Sequence, residues 1–208
     1  MFQKKAIAKG LTALLLLSIT VSAFGGNSIA AAAGKEVYKS SYIKYAKQQQ
    51  KKSRKTLYYA IINASDGKMP VLLVTTSDSY IKHDTGAVCA DVYSYSNGKV
   101  VQITKMQSTG SGYPLLQKDK YIISGWHHSS QRLMVSGANG YMETIDGFGM
   151  ENTKCHQKSW TIANGKKKDF SSKIISEKKA FSLDYYTNAY EKGGKIIKFK
   201  KVNARAKQ

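Results

Sequence analysis

The chain has 208 residues, 42% of them hydrophobic, with 14 tyrosines and only 2 prolines. That composition excludes a disordered chain, whose low hydrophobicity could not offset the entropy of ordering. Lysine and arginine number 33 against 13 acids, a formal charge of +20, which draws polyanions through a diffuse, salt-sensitive field. Arg54, Arg132 and Arg205 are the only arginines. A lysine-dominated charge of this kind argues against bidentate phosphate reading and against specific nucleic-acid recognition.

In chain order, Lys4, Lys5 and Lys9 form a positive start without acids, and Leu11 to Phe24 is apolar apart from a few hydroxyls. That run falls short of the roughly 20 residues needed to span a bilayer. Small residues follow, and Ala30 to Ala33 offers A-x-A-like cleavage registers after Ala30, Ala32 or Ala33. Residues 1–33 are therefore expected to be a cleaved export signal, making the mature chain secreted or extracellular. Removing the three leader lysines leaves 30 basic residues against 13 acids, or +17. Residues 35–55 hold eight basic residues and one acid, 56–151 seven and eight, and 152–208 fifteen and four. The middle is neutral and both flanks are basic.

From Val37 the tyrosines Tyr38, Tyr42 and Tyr45 recur at helical spacing with Ile43 and Ala46 alongside. A basic helix is expected over 34–55, fraying into a linker at the polar run Gln48 to Lys52. Residues 56–208 are expected to form a single β-rich domain ending in a basic tail. Thr56 to Ile62 and Pro70 to Thr76 are β-branched and aromatic strands around the turn residues 63–67. Three Asn-Gly pairs, at 97–98, 139–140 and 164–165, each lie between strand-like runs. Asn and Gly accept the two positive φ angles of a type I′ turn, so each pair predicts a hairpin. A further pair of strands is expected around a Gln117 to Lys120 turn, and Gly110 to Gly112 reads as a flexible loop.

Near the C-terminus, Ser176 is a suitable N-cap, and Phe181, Tyr185 and Ala189 share one helical stripe. Gly193-Gly194 should stop that helix, and Lys195 to Val202 alternates as an edge strand guarded by lysines. The fold class expected is α+β. Its body is an antiparallel β meander, as a twisted sheet, partial barrel or sandwich, with an N-terminal helix and a C-terminal helix plus strand.

Candidate chemistry is sparse. Cys89 and Cys155 lie in strand-like runs of a chain expected to be exported, where oxidation is permitted, so a disulfide between them is the first expectation. The alternatives are two free buried thiols or one reactive thiol. His83, His127, His128 and His156 are the only histidines. Neither H-x-x-x-H, H-E-x-x-H, C-x-x-C nor G-x-S-x-G occurs, so neither metal nor cofactor is expected. Asp78, His83 and Asp84 share a polar segment which, with His127-His128, is the best place for a hydrolase site. Glu143 and Asp146 cannot be paired from spacing alone.

The segment Tyr59 to Val74, containing Asn63-Ala64-Ser65-Asp66-Gly67-Lys68-Met69-Pro70, and the later Val92 to Val101, ending in Asn97-Gly98-Lys99, carry a resemblance. They resemble a D-x-D-G-D-G-x-P-E-L-L loop and aromatic N-G-K hairpin found in exported Gram-positive proteins of unassigned function. The resemblance spans residues 56 to 202 and implies the same β body with a C-terminal helix and basic strand. The acidic loop of that family looks like a calcium loop. Here Asn63, Ser65 and Val71 stand where the family has acids, leaving Asp66 as the loop's one carboxylate, too few hard oxygens for calcium. The reading that results is an exported, non-catalytic domain whose basic flanks meet an anionic cell-wall polymer or membrane surface. The alternative is a secreted hydrolase built on Asp78, His83, Asp84, His127 and His128. A toxin or inhibitor acting on another protein would instead show a large exposed apolar patch.

Overall fold

The computed structural model describes residues 26–67, 69–108 and 113–203, with side chains from residue 37 onward. The lysines and apolar run of the expected leader, the 110–112 loop and the end of the basic tail lie outside the described residues. The fold is α+β, with mostly antiparallel strands in open sheets.

Helix α1 runs Gly26–Lys52 and continues through the glutamines expected to fray. Its end is tied down by one of them. Gln50 donates through Nε2 to Lys55 O at 3.0 Å and accepts the Leu57 amide at 2.7 Å, so the next strand begins under the helix. Then come β1 (Leu57–Ile62), β2 (Val71–Thr76), the two-residue strands β3 (Tyr80–Ile81) and β4 (Gly86–Ala87), β5 (Cys89–Ser96) and β6 (Lys99–Gln107). The meander goes on as β7 (Leu116–Lys118), β8 (Tyr121–Trp126), β9 (Ser129–Ser136), β10 (Asn139–Asp146), β11 (Cys155–Ala163) and β12 (Lys166–Ile175). Helices α2 (Glu177–Leu183) and α3 (Tyr185–Glu191) precede the short strands β13 (Lys195–Ile196) and β14 (Lys200–Lys201).

Two sheets result, ordered β14-β1-β2-β5-β6 and β12-β11-β10-β9-β8-β7-β13. Period-two alternation decides what each face meets. On β2, Val71 and Leu73 enter the cluster between the sheets, while Leu72 and Val74 face α1. This explains the unbroken apolar run, since a strand covered on both faces does not alternate. The inter-sheet core joins Leu73, Val92 and Ile103 of the smaller sheet to Ile122, Leu133, Met142 and Ile162 of the larger. On the far side of the larger sheet, Ile123, Ile145 and Cys155 pack on Ala180, Tyr185 and Ala189. The order of layers is helix, sheet, sheet, helices.

Two Asn-Gly hairpins turn as expected: Asn97-Gly98 has φ of 50° and 76°, and Asn164-Gly165 has 52° and 70°. The third does not. Asn139 pairs with Ser136 and Gly140 with Val135, so both belong to β10. The turn is Gly137-Ala138, with φ positive at Gly137 alone, the type II′ pattern. Gly140 is used for space instead. A Cβ there would sit 2.9 Å from Ile103 Cγ2 and 3.1 Å from Leu133 Cδ1, closer than atoms pack at optimal separation. The Gln117 to Lys120 turn also tightens: Lys118 pairs with Tyr121, leaving Asp119-Lys120 as the loop.

The C-terminal helix is broken in two. Asp184 leaves the helical region at φ −48°, ψ 103°, and its carboxylate accepts the amides of Tyr186 and Thr187 as the cap of α3. The alternating segment after Gly194 is no single strand either. β13 pairs with β7 of the larger sheet and β14 with β1 of the smaller. Between them Ile197 donates to Leu115 O at 3.0 Å and Phe199 to Thr85 O at 2.8 Å, so this segment stitches the two sheets together. β14 is an edge strand with Lys200 and Lys201 exposed.

Candidate functional site

The expected disulfide is not formed, and both cysteines are free thiols. Cys89 lies on β5 of the smaller sheet, whereas Cys155 belongs to the cluster between the larger sheet and α2 and α3. Burial pushes the Cys89 thiol up, a rise that nearby Lys105 opposes. Burial raises Cys155 too, with Glu177 and Asp146 adding to it. Thiolate is the reactive form, so neither environment activates a nucleophile.

The residues considered for a hydrolase site sit on three separate segments, although Asp84 shares a cleft with Tyr113, against which His127 lies. Asp78 sits in the turn after β2 and pairs with Lys55, whose hydrogen bond holds its carboxyl below the usual range. His83 and Asp84 lie in the β3–β4 loop with Nε2 and Oδ2 3.1 Å apart. His127 and His128 form the β8–β9 turn, their ring centroids 6.1 Å apart. His128 is engaged by Phe148 O, 2.9 Å from its Nδ1, and His127 leans edge-on to Tyr113. Among the described residues no three His, Cys, Asp or Glu side chains gather closely enough to hold a metal ion. Glu143 and Asp146, three apart on β10, point to opposite faces. Each is already paired, Glu143 with Arg132 at 2.5 Å and Asp146 with Lys158 at 2.6 Å. Arg132 is further fixed between the rings of Tyr121 and Tyr185, 4.6 and 4.5 Å from their centroids. The best-placed arginine therefore serves the interior.

The loop that resembles an acidic family motif is closed by its own serine. Ser65 Oγ donates to Met69 O at 2.7 Å, and the Asp66 amide donates to Val135 O at 3.1 Å. The Asp66 side chain is exposed.

The charged surface is more informative. β12 is the outermost strand of the larger sheet and nine of its ten residues are exposed. The smaller sheet ends at β6, which packs against β8, β10 and β11, so β12 overhangs it. Lys167 pairs with Ile162 and Ile174 with His156, which puts both on the face toward the core. Among the described residues nothing at that end covers them, and Phe170 and Ile174 are 63% and 59% exposed. Lys167 Nζ lies 4.2 Å from the Trp160 ring centroid, with Phe170 beside the same ring. Lys166, Lys168 and Lys173 lie on the other face. A bulge at Asp169, with φ of 50°, shifts the alternation by one residue and so brings Lys173 onto the face of Lys166 and Lys168, with Lys167 on the other. The sequence reading found the basic flank but missed Phe170 and Ile174, whose exposure depends on where the smaller sheet ends.

It also missed a cleft of about 620 Å³ rimmed by Asp84, Tyr113, Tyr186, Tyr190 and Glu191. A signal for it exists: Tyr186 and Tyr190 form a second stripe at i, i+4 beside the apolar Tyr185 and Ala189. No helix among the described residues is long and apolar enough to cross a membrane. No protein-family model, curated protein or solved structure matches this chain.

Proposed function

We propose that this chain is an exported, non-catalytic binding protein that adheres through the β11–β12 ribbon to an anionic polymer of the cell envelope. The observation that carries the reading is β12 itself: an exposed outer strand bearing Lys166, Lys167, Lys168 and Lys173 in ten residues with a single acid, Asp169. Lysines on both faces suit a flexible polyanion better than a shaped phosphate pocket, because ammonium groups act as point charges without a required plane. The exposed lysines of α1, among them Lys44, Lys51 and Lys52, extend the same positive field from another layer of the fold. Export supports the reading by placing envelope polyanions within reach of the mature protein.

The test is retention on an immobilised polyglycerol-phosphate polymer across a salt series. The mature protein should be held at about 50 mM salt and released by about 200 mM, since counterion release makes such binding steep in salt. Replacing Lys166, Lys167 and Lys168 with glutamine should lower the slope of log affinity against log salt by roughly two units. Failure to bind at low salt would end the proposal, as would a triple variant that behaves like the parent. Vesicles of anionic lipid separate the membrane alternative: there Phe170→Ser with Ile174→Ser should abolish retention, while polymer binding should survive those changes.

A further inference from the structure

We propose that the tyrosine-rimmed cleft is a binding site for a glycan segment of neutral or amino-bearing sugar rings, separate from the lysine ribbon. The cleft lies where the β3–β4 hairpin, the segment before β7 and helix α3 meet, and its volume of about 620 Å³ is in the range of small-molecule sites. Tyr113 and Tyr186 are stacked with centroids 5.2 Å apart and planes inclined by 20°. Stacked in this way, the rings cover each other's facing sides and leave an outer π face as the platform, whereas caging a point cation takes rings set at angles around it. The C–H-lined face of a pyranose carries slight positive charge and suits the negative π face of such a platform.

The platform is built in. Tyr186 is anchored by its hydroxyl, which donates to Pro114 O at 2.9 Å. Its ring also sits on Gly125, where a Cβ would come within 2.5 Å of Tyr186 Cβ. Gly86 makes room in the same way, since a Cβ there would meet Ile196 Cγ2 at 3.0 Å and Pro114 Cβ at 3.2 Å. Both are glycines of space, without positive φ. Burial raises the Tyr186 phenol well above its ordinary value, so it stays a neutral donor. Tyr190, 67% exposed, extends the aromatic rim outward.

The polar groups choose the ligand's charge. Among the described residues, the charged side chains lining the cleft are Asp84 and Glu191, both acids, on a chain that is otherwise strongly basic. Lys198 approaches only the Asp84 backbone, donating to its carbonyl at 2.6 Å, and His83 takes one Asp84 oxygen. Phosphate-bearing ligands, including nucleotides and the polyanions drawn to the ribbon, are repelled from this spot. Carboxylates with the Thr187 hydroxyl and the tyrosine rim offer acceptors and donors for sugar hydroxyls, and for an amine where the sugar carries one.

The purified mature protein should be titrated calorimetrically with an N-acetylglucosamine tetramer, its de-N-acetylated counterpart and maltotetraose, and separately with choline and inorganic polyphosphate. Saturable binding of at least one sugar is expected, and for the neutral sugars it should be unchanged by salt. Tyr190→Ala and Tyr113→Ala, both at exposed rings, should each weaken it about tenfold. The Lys166, Lys167 and Lys168 variant should bind sugar as the parent does, which keeps this test independent of polymer retention. Binding to none of the three sugars overturns the assignment, and so does sugar binding untouched in a Tyr113→Ala, Tyr190→Ala double variant. Choline binding without sugar binding would replace the glycan with an organic cation, and polyphosphate competing with sugar would refute the charge argument.

Discussion

Gly140 offers the most direct probe of how the two sheets close on each other. In Gly140→Ala the new methyl meets Ile103 Cγ2 at 2.9 Å, Leu133 Cδ1 at 3.1 Å and Ile162 Cδ1 at 3.6 Å. Ordinary carbon contacts lie at about 3.5–4.0 Å, so the β6 and β9 walls must each give by roughly half an ångström. Both sit in the inter-sheet core, Ile103 and Leu133 being almost wholly buried. Overpacking of this kind costs about 1–3 kcal/mol. Set against it are the roughly 0.4–1 kcal/mol that alanine recovers by restricting the unfolded chain and the gain from burying one methyl, about 0.8 kcal/mol. At mid-range values a net loss of about 0.5 kcal/mol is expected, growing with Gly140→Val. Gly137→Ala, at φ 55° with open space around it, should cost about 1–2 kcal/mol through backbone strain alone. Gly67→Ala, with neither contact nor positive φ, should be neutral or slightly stabilising. Urea unfolding followed by circular dichroism reads all three as midpoint shifts at constant slope. A midpoint for Gly140→Ala at or above the parent's would refute this approach of β6 to β10. A neutral Gly137→Ala would refute the hairpin register.

The remaining expectations concern α1, the thiols and pH. Tyr42 is fully buried and donates to Pro70 O at 2.8 Å, so Tyr42→Phe should cost about 1 kcal/mol and Tyr42→Ala about 3–5 kcal/mol in the same unfolding assay; a silent Tyr42→Ala would mean that α1 is not docked. Alkylation under native conditions without reductant should modify half-buried Cys89 slowly and buried Cys155 only after unfolding, and a mass two hydrogen atoms short of the dithiol would show that the bridge does form. Burial raises the Asp91 carboxyl, against the pull of Lys105, so its contribution to stability is complete below the unfolded value of 3.8 and is lost as pH rises through the folded value. The advantage of Asp91→Asn over the parent should therefore grow on leaving the acid range and then level off, and a gap that narrows with rising pH would reverse the assignment.

Much of the local architecture is legible without coordinates. The Thr56 to Ile62 and Pro70 to Thr76 strands, the Asn97-Gly98 and Asn164-Gly165 hairpins, the Ser176 cap and the tyrosine stripe of α1 all depend on neighbours within a few residues. Side-chain period, φ preference and capping act at that range, so residue order alone determined them. Other features follow from partners far away in the chain. Whether Gly137 or Gly140 turns a hairpin is settled by Ile103, because a glycine pressed against the facing sheet is already needed for space. Asp184 breaks the C-terminal helix so that Tyr185 can reach the Ile145 layer while Tyr186 lies over Gly125. The C-terminal segment splits into β13 and β14 because its pairing groups meet two different sheets. Only the tertiary structure decided that Cys89 and Cys155 stay apart, that β12 overhangs the smaller sheet with Phe170 and Ile174 bare, and that Asp84, Tyr113, Tyr186 and Glu191 share one cleft. Each of these is a contact across the chain, and its energy depends on which surfaces the layers leave uncovered.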